Sequence, residues 1–180
     1  DLVSGKDKAT KVAAWLAFLR EHPNAMLYCF RGGQRSSIAC EWLKTEGHNV
    51  PKIDGGYKAL RRCLLSTMEN LPPLIIVAGK TGSGKTEFLQ QFDQAIDLEG
   101  IANHRGSAFG RHISVQPTQL NFENELSVNF LKLAQHPSIL VEDEGRMIGK
   151  VHLPPPLQEK MQNAPIALLE DSIEMRTERI

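Results

Sequence analysis

Cys29 follows a short apolar run and sits in the string Tyr28-Cys29-Phe30-Arg31-Gly32-Gly33-Gln34-Arg35-Ser36-Ser37. Sulfur reacts as the thiolate, and cations or inward-turned amides beside it favour that form. Arg31 and Arg35 supply the cations, while Gly32 and Gly33 let backbone N–H groups turn around an anion. Gln34 and Ser36 complete the loop at the start of a helix, whose N-terminus favours negative charge as well. The pattern suits nucleophilic sulfur, with Cys29, Arg31 and Arg35 as candidate catalytic residues and Gly32, Gly33, Gln34 and Ser36 as an anion loop. A lone cysteine at a strand end is ordinarily a small core residue. The flanking arginines and paired glycines reverse that reading here.

A second chemistry lies in Gly79-Lys80-Thr81-Gly82-Ser83-Gly84-Lys85-Thr86, which matches G-x-x-x-x-G-K-[ST] in full. The buried-strand run Leu74 to Ala78 precedes it, and a helical pattern from Glu87 to Ile96, with Phe88, Leu89 and Phe92 inward, follows. In such a loop Gly79, Gly82, Ser83 and Gly84 present amides to a phosphate chain, Lys85 adds a point charge, and the Thr86 hydroxyl could hold Mg²⁺. Its companion is Ser138 to Glu144, an apolar strand ending in Glu142, Asp143 and Glu144. Asp143 and Glu144 are the candidate Mg²⁺-associated acids, although the strand alone does not choose among the three, and a charged strand cap is the plain alternative. Two basic groups are candidate RNA or anion contacts: Arg61 and Arg62 on one helix, and His104 with Arg105 in a glycine-flanked loop. A solvated helix face and a surface turn are the plain readings of those two.

These elements have to be positioned by an α/β frame. Residues 9–21 carry Val12, Trp15, Leu16 and Leu19 at helical spacing, and His22-Pro23 ends that helix. Ala25 to Cys29 reads as a short buried strand, and Ile38, Ala39, Trp42 and Leu43 as the inner face of the next helix. Leu71-Pro72-Pro73 breaks the chain and sets the expected domains at 1–70 and 71–180. Further on, 119–135 reads as an amphipathic helix, Val151 to Pro156 as a connector, Leu157 to Asn163 as a helix and Ile166 to Leu169 as a strand.

Composition limits the classes. Lys plus Arg equals Asp plus Glu at 21 each, so no global basic field marks a nucleic-acid binder, though a local patch would not show in that total. Cys29, Cys40 and Cys63 form no CxxC pair, so neither a disulfide framework nor a zinc site is expected, and no protein metal-ligand set is assigned. No apolar run reaches the roughly 20 residues of a membrane helix. A cytoplasmic protein is expected, and the absence of Met at position 1 points to a piece of something longer.

The string Cys-x-Arg-Gly-Gly-x-Arg-Ser resembles the active-site loop of rhodanese-type sulfurtransferases, and Ile53-Asp54-Gly55-Gly56-Tyr57 is similar to the last strand and turn of that fold. The fold class expected is therefore the C-terminal part of a rhodanese-like parallel-sheet domain followed by a P-loop α/β domain, truncated at its C-terminus. YCFRGGQRS, DGGYKALRR, AGKTGSGKTEFL, HRGSAFG and VEDEGRMIG together resemble the tRNA 2-selenouridine synthase family, with Gly145 standing where that family's serine is expected. The resemblance implies exchange of sulfur for selenium at a wobble 2-thiouridine of tRNA, with Cys29 carrying the selenium. It also implies a geranylated intermediate, with selenophosphate and geranyl diphosphate as substrates and a selenophosphate-supplying enzyme as a partner. Mg²⁺ is compatible with the P-loop, and ATP does not follow from it. The alternative is a P-loop ATPase or kinase whose rhodanese-like portion is a sulfurtransferase or docking module.

Overall fold

The computed structural model describes residues 5–104 and 115–178. The chain forms two compact units, Asp1–Cys63 and Leu64–Ile180. The division falls inside the third helix (Gly56–Glu69), ahead of the Leu71-Pro72-Pro73 break that the sequence suggests.

In the first unit α1 (Gly5–Glu21) buries Val12 and half-buries Trp15, Leu16 and Leu19, the stripe its spacing predicts. It faces α2 (Gln34–Thr45), where the Trp15 and Trp42 rings stack with centroids 6.2 Å apart. The buried residues of α2 are Ser36, Ala39 and Leu43. Ile38, expected on that inner face, is exposed. Positions 36, 39 and 43 share one side of a 3.6-residue helix, and 38 lies well off it. The expected strand from Ala25 to Cys29 is also smaller than foreseen. Side chains alternate, with Ala25, Leu27 and Cys29 half-buried and Met26, Tyr28 and Phe30 exposed, but pairing is a single parallel bridge between Leu27 and Lys52. Leu27 N–H donates to Pro51 O at 2.8 Å and Ile53 N–H to Leu27 O at 2.9 Å. Among the described residues no further strand joins these two short segments, so the ladder is marginal.

The second unit is built on a parallel sheet of β1 (Leu74–Gly79), β2 (Ala95–Ile96), β3 (Ile139–Glu142) and β6 (Ile166–Leu169), in the order β2-β3-β1-β6. Alternate side chains feed two cores. Leu74, Ile76, Ile139 and Val141 pack with Phe122, Leu126 and Phe130 of α6 (Gln119–Lys132) and Leu157 of α7 (Pro155–Gln162). Val77 and Leu140 turn the other way, onto Leu89. That division is the period of two of a strand covered on both faces.

Three expectations change here. The helix foreseen from Glu87 to Ile96 is α4 (Lys85–Leu89), and Ala95 and Ile96 instead pair with Leu140 and Val141 as β2. Phe88, Leu89, Phe92 and Ile96 mimic helical spacing, but burying Ile96 in the sheet wins, and Phe92 is left exposed. Second, Val151 to Pro156 is no plain connector: β4 (Met147–Ile148) and β5 (Val151–His152) form a hairpin around Gly149, whose φ is 60°. Third, α7 begins at Pro155, where the missing N–H and preset φ suit the first turn. Two side chains fasten the hairpin. Gln116 donates to Ala102 O and Ile148 O, both at 3.0 Å, and Gln119 trades hydrogen bonds with the His152 backbone at 2.8 and 2.9 Å. The last elements are α5 (Leu98–Ile101) and α8 (Ile173–Glu178). No helix among the described residues is long and apolar enough to cross a membrane.

Candidate active site

Each unit carries a centre of its own. In the first, the loop after Cys29 is locked by backbone touching backbone. Gly56 has φ 59°, and a Cβ there would lie 2.0 Å from Cys29 O and 2.3 Å from the Gly32 nitrogen. The glycine pair Gly55-Gly56 thus lets the start of α3 (Gly56–Glu69) reach the cysteine loop, where Tyr57 N–H donates to Cys29 O at 2.9 Å and Lys58 N–H to Phe30 O at 3.2 Å. Cys29 is half-buried, its sulfur 3.3 Å from the buried Ser36 hydroxyl, whose single hydrogen has that sulfur and, at 2.8 Å, Gly33 O as competing acceptors. That hydroxyl is the largest influence and draws the thiol down to about 6 against burial, the next largest, with main-chain hydrogen bonds from Arg31, Ser36 and Gly33 adding to the lowering. The field is made by one hydroxyl and the loop's main chain. Arg31 and Arg35 are exposed and line, with Phe30, Gly33, Gln34 and Cys29, a cleft of about 470 Å³. At its edge the Phe30 ring stacks on Tyr57 at 6.2 Å with Lys58 Nζ 5.5 Å from it. Arg61 is half-buried and Arg62 exposed, further along α3.

In the second unit the sheet's connections diverge between β1 and β3. The chain leaving β1 runs to β2 beyond β3, and the chain leaving β3 runs to β6 beyond β1. Ligand crevices open at such switch points, outside the carboxyl ends of the strands. The Gly79–Thr86 loop lies at that end of β1. Gly82 and Gly84 have φ of 78° and 79°, the left-handed backbone that turns successive amides to one side. Arg176 of α8 donates to Thr81 O at 2.9 Å, and a Cβ on Gly82 would meet Arg176 O at 2.5 Å, so a C-terminal cation the sequence reading left without a role rests on the loop. Ser83 is buried, its hydroxyl without a hydrogen-bond partner among the described residues. Lys85 Nζ donates to Gly79 O at 3.1 Å and lies 4.0 Å from Glu142 Oε1.

Three acids gather beside Lys85. Glu99 of α5, Glu142 and Glu144 bring one carboxylate oxygen each within 4.8 Å of one another. Glu142 is buried and pushed up to about 7, by desolvation first, then by Glu99, with Lys85 opposing. Glu144 is raised as well, by desolvation and then by a hydrogen bond with Glu99. Asp143 is exposed and stands outside this group. Sequence reading named Asp143 and Glu144; Glu99 had no signal of its own, because only the turn after β2 delivers it to the end of β3. Gly145 is exposed, and a Cβ there would meet nothing within 4 Å, so space does not demand glycine. His104 is half-buried with Nδ1 lacking a partner among the described residues, and Arg105 lies outside them.

A parallel sheet with a glycine-rich anion loop after β1 and a buried acid on the neighbouring strand defines the second unit as a P-loop α/β domain. A family described as the tRNA 2-selenouridine synthase AAA domain matches residues 72–180. The chain belongs to the tRNA 2-selenouridine synthase family through that domain. Relatives so named match it nearly end to end: that of Shewanella woodyi is 50% identical over 184 residues, covering 99% of this chain and 50% of the relative. The Shewanella frigidimarina protein is 47% identical over 185 residues, covering 100% and 50%, and that of Pseudomonas fluorescens 48% over 184, covering 99% and 50%. The chain thus spans about half the length of these relatives. No solved structure matches it.

Proposed function

We propose that this chain is the cysteine-loop and P-loop portion of a cytoplasmic tRNA-modifying selenotransferase, which replaces sulfur by selenium in a wobble 2-thiouridine. The observation that carries the reading is that likeness to proteins named tRNA 2-selenouridine synthase runs through both units, 99% of the chain for the Shewanella woodyi relative. The first unit, read as the C-terminal part of a rhodanese-like domain, frees selenium from selenophosphate at Cys29: the thiolate attacks phosphorus, the P–Se bond breaks with the electron pair leaving on selenide, and water then releases phosphate and restores the thiol. Its thiolate is held by the Ser36 hydroxyl and loop amides, with Arg31 and Arg35 on the rim for an incoming anion. The second unit cradles the diphosphate of geranyl diphosphate in the Gly79–Thr86 loop. When the thiouridine sulfur attacks the prenyl carbon, the C–O bond breaks and the diphosphate leaves with the electron pair, onto amides and Lys85. Selenium then bonds to the base carbon as the alkylated sulfur departs as a thiolate, a better leaving group than bare sulfide. Thr86 and the acids are the groups that would hold Mg²⁺, which neutralises phosphate charge when bound. The buried, unpartnered oxygens of Ser83 and Glu142 fit a site that expects polar ligands.

The test is mass analysis of tRNA nucleosides after incubation of a chain of its relatives' full length with selenophosphate and geranyl diphosphate. Selenouridine should form, and Cys29→Ser should abolish it while diphosphate binding persists. Loss of both activities together would sink the division of labour. Phosphate release from ATP without RNA, at a rate that Cys29→Ser does not alter, would favour the ATPase reading.

A further inference from the structure

We propose that the pocket between α7 and the turn 143–146 holds the isoprenoid chain of the diphosphate whose phosphates the Gly79–Thr86 loop cradles. The inference rests on the function proposed above and gives that substrate a second subsite. The pocket measures about 270 Å³ and its floor is apolar: Ile76 of β1, Leu153 ahead of α7, Met161 within it, and Ile166 of β6. Ile76 and Ile166 are partners in the sheet register, so neighbouring positions on β1 and β6 form the base. The wall is fastened by the chain itself. Leu153 N–H donates to Arg146 O at 3.0 Å, and the Gln158 amide donates to Leu153 O. A preformed apolar hollow with a polar mouth is the usual form of a small-molecule site.

Size, chemistry and placement together name the occupant. An apolar cavity of about 150 Å³ holds the six carbons of benzene, so about 270 Å³ takes about ten, a chain of two isoprene units. The buried side-chain atoms without a partner among the described residues are Ser83 Oγ, His104 Nδ1 and Glu142 Oε2, and none of those residues lines the pocket. A site for a base turns hydrogen-bonding groups toward its edges, whereas this floor is hydrocarbon and the adaptable Met161 thioether. Ile166 is 68% exposed, so a chain laid on it covers apolar surface that otherwise meets water. Glu144 lines the pocket and also brings a carboxylate oxygen within 4.8 Å of one from Glu142, whose Oε1 is 4.0 Å from Lys85 Nζ. The mouth is therefore two side chains away from the P-loop lysine. One molecule can set its phosphates on the loop and its chain on Ile76 and Ile166. Gly145 belongs to the lining too, and a Cβ there would meet nothing within 4 Å, so added bulk narrows the pocket without striking the chain.

Calorimetry on the full chain, with pyrophosphate, geranyl diphosphate and the longer farnesyl diphosphate as probes, tests the pocket. The wild-type chain should bind geranyl diphosphate about tenfold or more tighter than pyrophosphate, because buried methylenes add to the phosphate contacts. Farnesyl diphosphate, too long for the hollow, should bind no tighter than geranyl diphosphate. Gly145→Leu should cut the geranyl preference to about threefold or less by filling the space the chain needs. Pyrophosphate affinity reports in the same titrations that the variant is folded. Met161→Ala, which deepens the floor, should move the preference toward farnesyl diphosphate. Equal affinity of the wild-type chain for geranyl diphosphate and pyrophosphate overturns the proposal. So does a geranyl preference that Gly145→Leu leaves intact, or one lost together with pyrophosphate binding. A Gly145→Leu chain that keeps geranyl diphosphate and loses 2-thiouridine would give the pocket to the base, which overturns it as well. Geranylation of tRNA is read separately by nucleoside mass analysis on a chain of the relatives' full length. Geranylated nucleoside formed while the preference ignores Gly145→Leu sinks the pocket alone, whereas none formed sinks the proposed function.

Discussion

Lys85 Nζ and Glu142 Oε1 lie 4.0 Å apart, on the P-loop and on the strand beside it. The register Val77 to Glu142 fixes that spacing, since Asp143 N–H closes the ladder onto Val77 O at 3.0 Å. The lysine is therefore a cation at an anion loop and the counter-charge of a buried acid. Lys85→Ala removes both roles. Pyrophosphate binding, followed by calorimetry, should weaken at least tenfold, a loss of about 1.4 kcal/mol or more. Glu142 should hold its proton to a higher pH, because desolvation would then act with less opposition. Unaltered pyrophosphate affinity would show that the loop is not a phosphate cradle.

Cys29 gives a pH dependence with a definite sign. With the thiol drawn down to about 6, the thiolate dominates at neutral pH. Iodoacetamide labelling should rise with pH around 6 and level off above about 7, where an ordinary thiol is still gaining. The Ser36 hydroxyl has one hydrogen and two acceptors in reach, Gly33 O at 2.8 Å and the sulfur at 3.3 Å. Ser36→Ala should move the labelling midpoint up, toward the range of an ordinary thiol, since the largest lowering contribution is lost. A midpoint unmoved by that change would return the effect to Arg31 and Arg35.

The close approach at Gly56 predicts a coupling between fold and thiol. Gly56→Ala forces a side chain onto φ 59° and places its Cβ 2.0 Å from Cys29 O. The conformational part alone costs about 1–2 kcal/mol, and relief of the overlap must part the Tyr57 N–H from Cys29 O. Urea unfolding should show a loss above 1 kcal/mol, and the Cys29 labelling midpoint should shift upward in the same protein. Gly33→Ala is the control: no neighbour lies within 4 Å of its Cβ and its φ is not positive, so stability should hold.

The sequence made the P-loop strand, the acid strand and β6 legible because each is a short apolar run bounded by turn or charged residues, a local signal. The stripes of α1 and α6 were legible for the same reason. What it hid was set by partners far along the chain. Ile96 belongs to β2 because Val141 is there to pair with it, which the spacing of Phe88, Leu89 and Phe92 could not reveal. Glu99 joins Glu142 and Glu144 only once β2 lies beside β3. Ser36 was named in the anion loop, but its primacy over the two arginines depends on a burial that the string Gly-Gly-Gln-Arg-Ser does not encode.

Two phenylalanines put that difference on a measurable scale. Phe92 and Phe122 both sit at helical spacing in the sequence, yet Phe122 is 0% exposed beneath the sheet and Phe92 is 36% exposed beside Phe88, their ring centroids 4.9 Å apart. Phe122→Ala should leave a cavity among Ile76, Leu126 and Val141 and cost about 3–5 kcal/mol. Phe92→Ala loses one ring contact and little buried area, so its cost should stay near about 1 kcal/mol. Chemical denaturation of the two variants decides it. Equal losses would mean that residues 87–96 continue as the buried helix their spacing suggests, and that β2 is not part of the sheet.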